Sequence, residues 1–365
     1  MCVVHKKNRG NNKMEYKNRQ IDDRNWNDWK WQESNSLTDE GKYHARFKIK
    51  VSPYYYSLMN HEDENCPIKK QAFPSTLENS ICKDYSQYGI DMNDSLAEER
   101  MSPVENLVHR YPDRVLLTVT NNCFMYCRFC TRKRLTGSCY DNFDLEKAFR
   151  YIEKHNEIRD VLISGGDPLT LEDEKLEKII MRLKEIEHVE IIRIGTRAPV
   201  VMPMRITDKL VNILKKYHPI WINTHFNHPK EITNLSIKAC NKIVDAGIPL
   251  GNQSVLLRNI NDSLEIYRDL CLKLVKNRIR PYYLYQCDIG KGNEHFRTKV
   301  QVGIDIIKGL RQYTTGFAIP TFVIDAPNGG GKITISPNNI IEKTKEKIVL
   351  CNKDNQLFIY PEIQD

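Results

Sequence analysis

The chain has 365 residues, 40% of them hydrophobic and 28% charged; this suits one large α/β domain plus an accessory segment in a globular protein. No apolar run approaches the roughly 18 residues that a membrane span needs, and Met1-Cys2-Val3-Val4-His5-Lys6-Lys7 lacks the apolar core of a signal peptide, so the expected location is cytoplasmic, with no membrane partner. The formal charge of +8 is concentrated in residues 1–20, where six Lys/Arg meet one Glu; they read as a disordered basic tail, and no basic face remains to argue for nucleic acid.

Residues 21–106 read as a helical arm and linker. Trp26-Asn27-Asp28-Trp29-Lys30-Trp31 is the kind of aromatic cluster that packs an arm onto a body, and residues 83–106 are polar enough for a connecting loop. From about residue 115 a regular alternation begins. Strands are expected at Val115–Thr120, Val161–Ser164, Val189–Gly195, Ile220–Thr224, Pro249–Leu256 and Pro281–Gln286. Helices are expected between them near 143–156, 171–186, 206–217, 231–246 and 262–277, and a last one near 299–314. Strands joined in series by crossover helices build a parallel sheet. Six units are too few for a closed eight-fold barrel, so an α/β partial (β/α)6 barrel over 107–318 is predicted, followed by a C-terminal segment, 319–365. Functional residues belong at the C-terminal ends of the strands.

Eleven cysteines, an odd number, argue against a disulfide framework in a chain without an export signal. Cys2, Cys66, Cys82, Cys139, Cys240, Cys271, Cys287 and Cys351 are scattered and read as small hydrophobes. Cys123, Cys127 and Cys130 are different. They follow the first strand with the spacing C-x3-C-x2-C, and three thiolates on so short a loop suit an iron–sulfur cluster or part of a zinc site. In a cubane, three cysteines leave one iron open. Ser164-Gly165-Gly166-Asp167-Pro168, at the end of the second strand, is by itself an ordinary turn, whose glycines leave room for a ligand near the backbone. Downstream, Asn328-Gly329-Gly330-Gly331-Lys332-Ile333 fails the Walker pattern, because Ile333 stands where Ser or Thr is required. An exposed loop lysine and a lysine that anchors pyridoxal phosphate both remain open on the residues alone.

The cysteine spacing and the Gly165-Gly166-Asp167 turn resemble the radical S-adenosylmethionine superfamily. From Trp26 to about Tyr360 the chain is similar to the lysine 2,3-aminomutase family. Matching segments include Trp26-Asn27-Asp28-Trp29, His109-Arg110-Tyr111-Pro112-Asp113-Arg114, the cysteine loop, Asn223–Pro229, Leu250–Leu257, Tyr282–Asp288 and His295-Phe296-Arg297-Thr298. The resemblance implies a 4Fe–4S cluster on Cys123, Cys127 and Cys130. It implies S-adenosylmethionine on the open iron beside Gly165, Gly166, Asp167 and His225, and pyridoxal 5′-phosphate on Lys332 with Arg110, Tyr111, Arg114 and Gln253. Arg132 matches the residue that grips the substrate α-carboxylate. Asp288 and Asp325 match the pair that grips a distal ammonium, which implies a lysine substrate, hydrogen abstraction by a 5′-deoxyadenosyl radical and a 1,2-shift of the amino group. Arginine 2,3-aminomutase is the near alternative, and a radical enzyme modifying RNA or protein the distant one. A reductant such as flavodoxin or ferredoxin and a homo-oligomeric state are also implied. Three departures stand out. Lys291 lies beside the specificity acid, in a segment that is more apolar in the family. Asn328 replaces the first of four glycines. Ser263 stands where longer members carry a zinc-ligating cysteine and their cysteine-rich tail has no counterpart, so no structural zinc is expected.

Overall fold

The structure, a computed structural model, describes residues 26–39, 47–80, 83–138, 143–352 and 354–363. The basic stretch 1–20 and Cys2, Cys82 and Cys139 lie outside the described residues. Two short strands, β1 (Leu37–Asp39) and β2 (Ile49–Val51), pair antiparallel in the N-terminal arm. Nine more, β3 (Leu107–Tyr111), β4 (Arg114–Thr118), β5 (Asp160–Ser164), β6 (Ile191–Gly195), β7 (Ile220–Thr224), β8 (Leu250–Leu256), β9 (Arg280–Gln286), β10 (Thr321–Ala326) and β11 (Gly331–Thr334), form one sheet in unbroken sequential order.

All six expected strands are present, with helices between them at Glu146–Lys154, Asp173–Lys184, Asp208–Lys215, Asn234–Asp245 and Leu264–Lys276, and after the last at Val300–Tyr313. The strands alternate strictly: Val115 and Leu117, Val161 and Ile163, Ile192 and Ile194 are buried, and their neighbours are half-buried. The buried set packs with the helical residues Phe149, Ile152, Leu176, Ile180 and Leu183 in one continuous core. The period of two therefore assigns the other set to the inner face of the sheet. Polar caps fix the helix starts: Thr207 accepts from the Leu210 amide at 3.1 Å and Ser263 from the Ile266 amide at 3.3 Å.

The sheet departs from the expectation at its end. β10, placed in the C-terminal segment on sequence grounds, pairs parallel with β9 and makes a seventh parallel strand. β11 then folds back antiparallel on β10, with Asp325 opposite Lys332. At the far side β3 caps β4 antiparallel. The outermost strands meet: the Lys332 amide donates to the Tyr111 hydroxyl at 2.8 Å, from β11 to β3. The sheet is thus curled into a nearly closed barrel whose seam is a side-chain contact. Beyond it, β12 (Ile340–Lys343), β13 (Lys347–Cys351) and β14 (Leu357–Pro361) form a separate antiparallel sheet. Among the described residues no helix is long and apolar enough to cross a membrane.

The arm packs on the outside of the cysteine loop. Trp29 meets Phe124 edge-on at 6.2 Å, and the Arg205 guanidinium lies 4.7 Å from the Trp29 ring centre. Gln32 is buried, donating to the Trp26 carbonyl and accepting from the Tyr54 amide, both at 2.9 Å.

Gly165 and Gly166 have a packing role that the turn pattern did not reveal. A Cβ on Gly165 would sit 2.3 Å from the Thr120 carbonyl oxygen, and one on Gly166 would sit 2.1 Å from that of Asn122. The amides of Gly166 and Asp167 donate to those same two carbonyls, each at 2.6 Å. The turn after β5 is thereby seated on the first residues of the cysteine loop. Gly166→Ala is expected to lower stability by about 3 kcal/mol and to reduce the iron bound per chain, read by thermal unfolding and iron analysis. Gly316→Ala, whose Cβ would meet nothing within 4 Å, is the control and should change neither.

Candidate active site

The cysteine loop runs from Asn121 to Gly137 after β4. Its centre is held from the arm. Arg128 is fully buried, its Nε donating to Glu78 at 2.8 Å and its Nη1 to the carbonyls of Phe47 and Lys48 at 3.1 and 2.9 Å. The Tyr126 amide donates to the Lys50 carbonyl at 3.0 Å and the Arg128 amide to that of Gln71 at 2.9 Å.

Burial pushes the Cys123 thiol well up, with Asp167 and then the other two cysteines adding to the rise, and burial followed by Cys127 raises Cys130. For Cys123 and Cys130 deprotonation therefore needs cationic or N–H compensation. N–H groups already point at two of the three sulfurs: the Arg132 amide to Cys130 at 3.3 Å and the Arg197 guanidinium to Cys127 at 2.8 Å. Among the described residues no three His, Cys, Asp or Glu side chains are placed to hold a single metal ion. Three soft thiolates on one loop suit an iron–sulfur cluster, in which each takes its own iron.

On the inner face of the barrel, the strand register brings Arg114, Gln253, Tyr285, Asp325 and Lys332 to the same side. Lys332 Nζ lies 3.3 Å from Asp325 Oδ1 and 5.5 Å from the Tyr285 ring centre. Arg110 Nη1 is 3.8 Å from Asp325, its Nη2 donates to the Leu96 carbonyl at 2.7 Å, and its buried Nε has no partner. Arg114 stacks on Tyr111, 4.1 Å from the ring centre. Two arginines, a tyrosine and an unspent buried N–H beside the lysine amine fit a phosphorylated aldehyde cofactor. Gly329 and Gly331, at φ 80° and 79°, turn the loop onto Lys332, and Asn328 takes the left-handed conformation, φ 59°, which asparagine tolerates best after glycine.

Asp288 follows β9. Burial and then the Asp325 charge raise its carboxyl to about 7, against the pull of Lys332, Arg110 and Arg297. Lys291 is exposed and lines a cavity with Phe47, Glu78, Cys130, Lys133 and Arg134. Burial lowers the Lys133 ammonium in that cavity to about 8.

Arg132 comes off the cysteine loop. Its Nε and Nη2 edge is taken by Glu98, at 3.0 and 2.6 Å, and its Nη1 reaches Ser164 Oγ and the Gly165 carbonyl at 3.3 Å. Burial works to raise Glu98, but Arg132, Arg134 and Arg110 outweigh it and hold the carboxyl below its ordinary value. The Asp167 carboxylate ties two loops together, accepting from the Leu169 amide at 3.0 Å in its own turn and from Thr196 Oγ1 at 2.6 Å and the Arg197 amide at 2.8 Å after β6. His225, 5.6 Å from Phe129 between ring centres, is lowered to about 3 by burial and then by Arg197; it is a neutral hydrogen-bonding group.

Sequence reasoning missed the strap that carries Glu98. Residues 83–106, expected to be a connector, cross the barrel mouth. The Tyr85 hydroxyl donates to Glu294 at 3.0 Å, and the carbonyls of Met92 and Ser95 accept from the amides of Lys291 at 3.0 Å and Asn328 at 2.9 Å. Arg197, Glu231, Glu78 and Arg128 were missed as well.

A family model described as "Radical SAM superfamily" matches residues 117–270, and one described as "Lysine-2,3-aminomutase" matches residues 307–365. The chain is 49% identical to L-lysine 2,3-aminomutase of Clostridium subterminale, over 94% of this chain and 86% of that one. It is 47% identical to L-lysine 2,3-aminomutase of Bacillus subtilis, over 94% and 76%. It is 44% identical to glutamate 2,3-aminomutase of Clostridioides difficile, over 89% and 80%. With the three-cysteine loop, the seam lysine and identity on this scale along almost the whole length, the chain belongs to the radical S-adenosylmethionine family of lysine 2,3-aminomutases.

Proposed function

We propose that the chain interconverts L-lysine and β-lysine by moving the amino group between carbons 2 and 3. The observation that carries the choice of substrate is the acidic pair. The Asp325 charge makes the buried Asp288 carboxyl costlier to ionise unless a cation lies between them. A distal ammonium supplies that cation, whereas a distal carboxylate would be repelled.

Cys123, Cys127 and Cys130 would hold the cluster, with S-adenosylmethionine lying along the Gly165–Gly166 main chain and His225. Lys332, Arg110, Tyr111, Arg114 and Gln253 would hold pyridoxal phosphate. When bound, the first pair supplies an organic radical and the second a π-system beside the migrating nitrogen. The chain's own part is positioning. Arg132 Nη1, the nitrogen that Glu98 does not take, would turn from its 3.3 Å contacts with Ser164 and Gly165 to the substrate α-carboxylate. The strap and the Phe129 side of the cysteine loop exclude water from the space between. A small one-electron donor of the flavodoxin or ferredoxin class would feed the cluster, and we place the chain in a homo-oligomer. An enzyme acting on RNA or protein has no use for an amine at the seam, and Lys291 is exposed in the cavity it shares with Cys130 and Lys133.

Anaerobic incubation with S-adenosylmethionine, pyridoxal phosphate and reductant should yield β-lysine from lysine, with little turnover of arginine or glutamate. Borohydride reduction should leave a phosphopyridoxyl adduct on Lys332 that Lys332→Ala lacks. Absence of both β-lysine and the adduct would refute the assignment.

Asp288 also sets a pH dependence. Its carboxyl is raised to about 7, so the anionic form that holds an ammonium is lost as pH falls through that value. The kcat/KM for lysine should therefore drop roughly tenfold per unit below about pH 7. In Asp288→Asn this limb should vanish and KM should rise roughly 30-fold, the loss of one charge-assisted contact. A limb that survives in the variant assigns it to another group.

A further inference from the structure

Arg197 follows β6, and the proposed roles make no use of it. It is 7% exposed, and its guanidinium is clamped on every side. Nε donates to the His225 carbonyl at 3.1 Å, and Nη2 donates to Gln71 Oε1 at 2.6 Å and Glu231 Oε1 at 2.8 Å. Nη1 donates to the sulfur of Cys127 at 2.8 Å. The rings of Phe129 and Tyr55 lie 5.5 and 5.8 Å from the guanidinium carbon. Glu231, fully buried, is fixed in turn by the Tyr55 hydroxyl at 2.7 Å and the amides of Asn227 and His228 at 2.6 and 2.8 Å. A fixed, buried cation therefore aims one N–H at the half-buried sulfur of Cys127.

We propose that Arg197 is a positioning residue that sets the electron affinity of the cluster through the sulfur of Cys127. The inference rests on the three cysteines being the cluster ligands and is independent of the substrate. Reduction by a one-electron donor adds one negative charge to an assembly that three thiolates already make anionic. A donor locked on a ligand sulfur favours the more negative state, most strongly in a low-dielectric surround. Glu231 acts in the opposite sense, because its carboxylate offsets part of the guanidinium charge. The two residues should thus move the potential in opposite directions, whereas a merely structural pair would fail in the same direction.

The test is an EPR-monitored redox titration of the full chain, reconstituted anaerobically and reduced with dithionite. Arg197→Met should shift the reduction equilibrium about tenfold against the reduced cluster, about 59 mV for one electron. Arg197→Lys should shift it less, and Glu231→Gln should shift it toward the reduced cluster. Unchanged potentials in variants with full iron content, or shifts of one sign in all three, overturn the proposal. If a variant loses its iron, the wild-type protein decides. With arginine labelled with 15N in the guanidinium, pulsed EPR of the reduced cluster should show a 15N coupling, and its absence overturns the proposal equally.

Discussion

The structure depends on one contact, the hydrogen bond from the Lys332 amide to the Tyr111 hydroxyl, made between residues 221 positions apart. Seven parallel strands twist in one direction and carry the sheet round on itself. An antiparallel strand at each edge keeps the two edges from pairing as a ladder. The seam is closed by a side chain, and that side chain comes from the same β3 that supplies Arg110. Segments from opposite ends of the sheet, one before the first parallel strand and one after the last, are thereby made neighbours. Neither carries a site alone.

Charge pairing fixes the loops above the sheet in a consistent way. Arg128 and Arg132 leave the cysteine loop, and Arg197 leaves the end of β6. Each meets a carboxylate from a distant segment: Glu78 from the arm, Glu98 from the strap and Glu231 from beyond β7. Buried ion pairs are weak contributors to net stability, since desolvation offsets most of the attraction. Their value lies in direction. A planar guanidinium held along two edges can rotate very little, and the atoms it presents to a third partner are then set to within a fraction of an ångström. For Arg197 that third partner is the Cys127 sulfur, and on the proposed reading a substrate carboxylate takes that place at Arg132. The arm and strap are therefore part of the site's construction, although few of their residues face the lumen.

Much of this was legible in the sequence. The strands and helices from 114 to 313 follow hydrophobic period, which reports burial directly. The cysteine loop was legible from spacing, and the resemblance singled out Lys332, Arg110 and Asp325, which the fold brings together. The rest was hidden for a physical reason. Glu98 in Leu96-Ala97-Glu98-Glu99 has the local pattern of a solvated loop, and only its partner, 34 residues away, shows otherwise. The run Thr321–Ala326 is a short β-rich stretch next to a more conspicuous glycine motif, so its pairing with β9 could not be read from its own residues. Gly165 and Gly166 were read as space for a ligand. Their first duty is to admit the carbonyls of Thr120 and Asn122, a contact between two loops that no single segment encodes.

The arrangement at the seam links cofactor loading to substrate choice. In the chain as folded, the cation nearest Asp325 is Lys332 itself, and the Asp325 charge is already a main reason that Asp288 resists ionisation, after burial. On the proposed reading, a Lys332 taken up by the cofactor no longer presents a free ammonium to that pair. Two carboxylates then face the same space with Arg110, 3.8 Å from Asp325 and committed to the strap through the Leu96 carbonyl, and Arg297, whose pull on Asp288 is smaller, to compensate them. Their repulsion is relieved when a cation enters from outside. The preference for a substrate with a distal ammonium thus does not rest on pocket shape alone. It is an electrostatic debt created at the moment the cofactor binds, and it makes the loaded site more selective than the bare chain.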